Sequence, residues 1–212
     1  MALKLLLFLC ALSLSACNPY TLKTVAKSDI DLVVDAHWQN MNLRLQAFMI
    51  KLYQLNPTAQ PLDHTVQDRL QQIFQHPGAV RFKELQQANA ETALTLAFSP
   101  DFNGDRIFAL TAGLTDMIHQ AYGYRHEFFV LDRLNQQSLY NSARNLEFIA
   151  SRLKQQPYLV TQANQIEQLE RLFGQMIATQ DMLARITADA THRSINTVIH
   201  GIASATLLPV GL

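Results

Sequence analysis

An all-α fold, an irregular bundle of about six to seven helices, follows from three features of the sequence. Apolar residues recur at spacings of three and four along most of the chain, the period of a helix with one buried face. Leu, Gln and Ala, all good helix formers, are abundant. Gly and Pro number only seven each in 212 residues, too few for a fold rich in turns.

The chain opens on a different kind of signal. Met1 to Lys4 carries one positive charge, Leu5 to Leu12 is apolar, and small residues lead to Cys17. This is the layout of a secretory signal peptide, and its apolar run is shorter than the roughly 18 residues needed to span a bilayer. Leu14-Ser15-Ala16-Cys17 resembles the lipobox of bacterial lipoproteins. The resemblance implies a signal peptide over 1–16, cleavage before Cys17, and acyl chains such as palmitate on the thiol and the new amine of that residue. Asn18 after the cysteine, rather than Asp, implies the inner leaflet of the outer membrane, with the domain in the periplasm. Each buried methylene contributes about 0.8 kcal/mol, so several chains would hold a protein almost permanently. Residues 17–27 then read as a membrane-proximal linker and 28–212 as one helical domain.

Ser28 is placed to cap the first helix, with Asp29 and Asp31 in a first turn where the helix dipole favours negative charge. Val34, Trp38, Met41, Leu45, Phe48, Met49 and Leu52 form its stripe, and Asn56-Pro57 stops it. A short helix follows around Val66, Leu70 and Ile73, ending at His76-Pro77-Gly78. Val80 to Phe98 reads as one helix, with a short strand over 93–98 as the alternative. Residues 99–105 are a loop. Ile107, Leu110, Leu114, Met117 and Ile118 then mark the most regular helix, with Gly123 as its C-cap and Gly113 open to close approach by a neighbour. Asp132 or Asn135 caps a helix from Gln136 to about Gln155. A long amphipathic helix runs through Ile166, Leu169, Phe173, Met176 and Leu183, and the apolar tail from Ile195 to Leu208 reads as a final core helix.

Composition excludes several functions. Lys+Arg and Asp+Glu each total 17, a net charge of zero, so nothing draws a nucleic acid. Cys10 leaves with the signal peptide and Cys17 is lipidated. The mature domain therefore has neither a disulfide nor a cysteine nucleophile, and its stability rests on packing. Asp101, Asn103 and Asp105 match the first places of a calcium loop, but Arg106 stands where Gly is required and Ala112 where Glu is. The seven histidines contain no H-E-x-x-H pair, and no nucleophile elbow or phosphate loop is present. No metal, cofactor or catalytic residue is expected.

One polar cluster stands out: Asp105 and Arg106 at one helix start, Tyr140, Arg144 and Asn145 on another helix, and Asp132 before it. Arg144, on the flank of an apolar face, is expected to pair with Asp105 or Asp132, either to fix helix packing or to line a ligand cleft. Tyr53-Gln54-Leu55-Asn56-Pro57, Gly104-Asp105-Arg106, Glu127-Phe128-Phe129 and Leu139 to Asn145 together resemble a group of helical proteobacterial lipoproteins to which no activity attaches. The resemblance implies an anchored envelope protein and adds no site. The function expected is a lipid-anchored structural or protein-interaction module on the periplasmic face, with an unidentified envelope protein as partner and no enzymatic activity. The alternative is a small-ligand-binding lipoprotein with an apolar pocket between helices.

Overall fold

The computed structural model describes residues 27–59, 63–75, 81–129, 134–156, 159, 163–192, 195 and 207–210, with backbone only at 163–165. The described residues form six α-helices and no strand. They are α1 (Asp29–Leu55), α2 (Val66–Phe74), α3 (Ala90–Phe98), α4 (Arg106–Ala121), α5 (Gln136–Leu153) and α6 (Ala163–Thr191), with short 3₁₀ turns at Pro57–Ala59 and Lys83–Leu85.

Local chemistry explains the helix starts. The Ser28 hydroxyl accepts from the Asp31 N–H, and the Asp31 carboxylate accepts from the Ser28 N–H, a reciprocal capping box. Thr65 and Asp68 repeat it on α2. Asn89, Asp105 and Asn135 cap α3, α4 and α5 by accepting backbone N–H groups of the first turn. These bonds satisfy donors that a helix start otherwise leaves orphaned. At the far end of α4, Gly123 takes a left-handed φ of 64° that closes the helix.

Helix α1 is the axis of the bundle. It lies antiparallel to α4, with Tyr53 meeting Asp105 and Asn42 meeting His119. It also lies antiparallel to α6, with Phe48 against Phe173 and Arg44 bonded to Gln175. Each partner is itself half of a hairpin, α3 with α4 and α5 with α6. Met41, Leu45, Phe48, Met49 and Leu52 are completely buried between the two hairpins, as the sequence stripe predicts. A buried chain of hydrogen bonds ties three helices together: Tyr122 OH donates to Gln180 Oε1, Gln180 Nε2 to Ser142 Oγ, and Ser142 Oγ to the Leu139 carbonyl.

Two expectations are corrected. Residues 80–98 are not one helix: Arg81 lies outside any helix, Phe82 is extended, Lys83–Leu85 is a 3₁₀ turn, and Gln86 and Gln87 are left-handed before α3 starts at Ala90. Packing overrides the helix propensity of Gln here. The break seats Phe82 edge-on against Phe108 at 4.8 Å, buries Leu85, and frees Asn89 to cap. In the tail, Ile195 and 207–210 are not helical, while the rest of its expected core helix lies outside the described residues. Cys17, the linker before Lys27 and Asp132 also lie outside them.

Candidate functional site

Asp105 uses both carboxylate oxygens. Oδ1 accepts the Phe108 N–H at 2.9 Å, while Oδ2 accepts the Tyr53 hydroxyl at 2.6 Å and Arg69 Nε at 3.2 Å. Arg69, only 2 % exposed, also donates to Gln72 at 2.8 Å and Glu84 at 2.7 Å, and its guanidinium lies 4.1 Å over the Phe108 ring. Burial raises the Tyr53 hydroxyl pKa, and the hydrogen bond and charge of Asp105 raise it further. Tyr53 therefore keeps its proton. With these groups paired among themselves, the cluster joins α1, α2 and α4 and is a structural pin.

Arg144 is not in it. Its guanidinium bonds Glu147 at 2.8 Å and Asp181 at 3.5 Å, with 22 % of the side chain exposed, and lies 5.2 Å over the Tyr140 ring. The expected pair with Asp105 is therefore wrong, because Arg69 already occupies that carboxylate. Arg69 carried a readable signal: it stands between Val66 and Ile73 on the apolar stripe of α2, a position that demands a buried partner. Arg106 donates to the carbonyls of Ala97 (3.3 Å), Ser99 and Pro100 (3.0 Å) and so closes the end of α3. The sequence cluster thus divides between the α3–α4 corner and α5.

Asn145 belongs to a second arrangement. Its carboxamide is fully buried and makes two bonds to one extended residue: Nδ2 donates to the Leu208 carbonyl at 2.7 Å, and Oδ1 accepts the Leu208 N–H at 2.6 Å. One turn earlier, Asn141 Nδ2 donates to the Pro209 carbonyl at 2.6 Å, and Gln137 Nε2 bonds Asn141 Oδ1 at 2.8 Å. Gln137, Asn141 and Asn145 therefore form an amide ladder along α5, and Val210 is buried beyond it. Sequence reading named Asn145 but missed Asn141 and the role of both.

The 207–210 segment and Asn145 wall an open cleft of about 560 Å³, lined also by Arg81, Glu91, Asp116, Met117, Gln120 and Tyr124. Within it Asp116 accepts from Arg81 at 2.9 Å and from the Tyr124 hydroxyl at 3.0 Å. Burial and then the Asp116 charge push Tyr124 up to about 12.

Elsewhere, His119 donates from Nε2 to Asn42 Oδ1 at 3.0 Å, and its ring lies 4.5 Å from that of Trp38. Burial lowers its pKa to about 4, so it stays neutral at ordinary pH. Among the described residues, no three His, Cys, Asp or Glu side chains gather to hold a metal ion, and no helix is long and apolar enough to cross a membrane. No protein-family model, curated protein or solved structure matches the chain.

Proposed function

We propose that the chain is an envelope lipoprotein, anchored through acylated Cys17, whose helical domain is a protein-interaction module and not an enzyme. The observation that carries this reading is the outer face of α1. Leu32, Ala36, Leu43 and Ala47 recur there at steps of four, seven and four, with Leu32 44 % and Leu43 65 % exposed. Gln39 and Asn40 lie between them, and Arg44 reaches in from the flank to donate from Nε to Asn40 Oδ1 at 2.5 Å. The stretch is about 24 Å long at the helical rise. The outer side of α6 carries one exposed apolar residue, Met182, among Glu167, Arg171, Asp181 and Arg185. An exposed apolar strip of this length is what a partner would cover.

The alternative, a small ligand held in an apolar pocket between helices, has less support. The apolar space between α5 and α6, lined by Ala150, Leu153, Ile166, Leu169 and Phe173, admits about 10 Å³, barely one water molecule.

The test is a photo-crosslinking amino acid placed at Leu43 of the full chain in cells, with the same group at Arg171 as control. The reading expects a discrete protein adduct from position 43 that is lost when Ala36→Arg is added, and none like it from position 171. No adduct at 43, or the same adducts from both positions, would remove its support.

A further inference from the structure

A carboxamide side chain carries one acceptor and a donor pair, so it can stand in for a peptide unit and bond extended main chain on both edges. Asn145 does this to Leu208, while Asn141 takes the next carbonyl. The orientation of each amide is set: Asn145 must turn Oδ1 towards the Leu208 N–H, and Gln137 holds Asn141 Oδ1. Both asparagines stand on a buried helix, at 0 % and 7 % exposure, so the clamp is rigid. Its bonds read backbone and no side chain. Pro209, which has no N–H, sits where Asn141 asks only for a carbonyl. The adjoining cleft leaves about 560 Å³ open beside the segment.

We infer that the Asn141–Asn145 face of α5, together with this cleft, is a binding groove for an extended, apolar, proline-bearing segment of a partner protein, with residues 207–210 as its built-in occupant. The occupant is held by main-chain bonds that any such segment reproduces, so it is exchangeable. The inference depends neither on the anchor nor on the outer face of α1.

The probe is a labelled peptide of the chain's own residues 205–212, Ala-Thr-Leu-Leu-Pro-Val-Gly-Leu, titrated into the purified full chain by fluorescence anisotropy. Leu208→Pro in the protein removes the N–H that Asn145 accepts and weakens the built-in occupant while leaving Asn141 and Asn145 unchanged. This variant should bind the peptide about tenfold more tightly than wild type, one hydrogen bond's worth. Adding Asn145→Asp, which keeps the shape but loses the donor to the carbonyl, should reverse the gain. A peptide with proline at the Leu208 place should bind at least about tenfold more weakly than the parent. Equal binding by wild type and folded Leu208→Pro, or no discrimination between the peptides, overturns the inference. Should Leu208→Pro fail to fold, wild type alone decides: saturable binding competed by unlabelled peptide supports the groove, and its absence overturns it.

Discussion

Two arginines of this domain differ in their surroundings more than in their sequence contexts. Arg69 is buried with Asp105, whose side chain is 5 % exposed, so Arg69→Ala leaves that carboxylate without its counter-charge in a site closed to water. The expected loss is roughly 3–5 kcal/mol, measured by urea unfolding, with part of it recovered when Asp105→Asn is added. Arg144→Ala should cost less than about 1 kcal/mol, because its partners Glu147 and Asp181 are 43 % and 24 % exposed and water screens the pair. An equal cost for the two substitutions would show that the pin is misassigned. His119 supplies a pH dependence. Its folded pKa of about 4 lies below the ordinary value of 6.5, so the unfolded chain binds the proton more readily. Stability is therefore full above about pH 6.5 and lost as pH falls towards 4. Burial lowers the pKa of His37 as well, with the same sign. Between pH 7 and pH 4 the wild type should lose roughly 2–4 kcal/mol more than His119→Gln, and parallel pH profiles would contradict a buried neutral imidazole.

Among the helices, two glycines make opposite predictions. A Cβ on Gly113 would stand 2.7 Å from Leu94 Cγ and 3.0 Å from the Ala90 carbonyl oxygen and the Leu94 nitrogen, and backbone cannot swing aside. Gly113→Ala should push α3 off α4 and destabilise by roughly 1–3 kcal/mol. Gly174, inside α6, has nothing within 4 Å of that position. Gly174→Ala should stabilise by about 0.5–1 kcal/mol, since alanine loses less backbone entropy in a helix. Thermal melting of the two variants checks both signs at once. That a neighbour could approach α4 closely was legible in Gly113, while its identity as α3 was not. The break at 81–89 was not, because Gln-rich sequence favours a helix until Phe82 and Leu85 find the core.

For the molecule as a whole, the proposed anchor is a covalent question with a direct answer. Cys17→Ser removes the only thiol that could carry the lipid after cleavage. The variant should accumulate unprocessed or in the soluble fraction, and mass spectrometry of the wild type should show the added acyl mass. Normal processing with detergent-dependent extraction of Cys17→Ser would end the lipoprotein reading. The same cysteine count leaves the folded domain without a disulfide, so the packing between the two hairpins and α1 supplies its stability.

What the sequence determined by itself is whatever depends on neighbours within a turn or two of helix: the all-α class, the cap at Ser28, the buried stripe of α1 and the stop at Asn56-Pro57. These follow from the 3.6-residue period and from side chains that bond backbone three residues away. Only the tertiary structure decided which arginine meets Asp105, where 80–98 breaks, and what Asn145 holds. Arg69 is 36 positions from Asp105, and Asn145 is 63 from Leu208. Over such separations local pattern says that a buried polar group needs a partner, and only the packing of whole helices selects which one it finds.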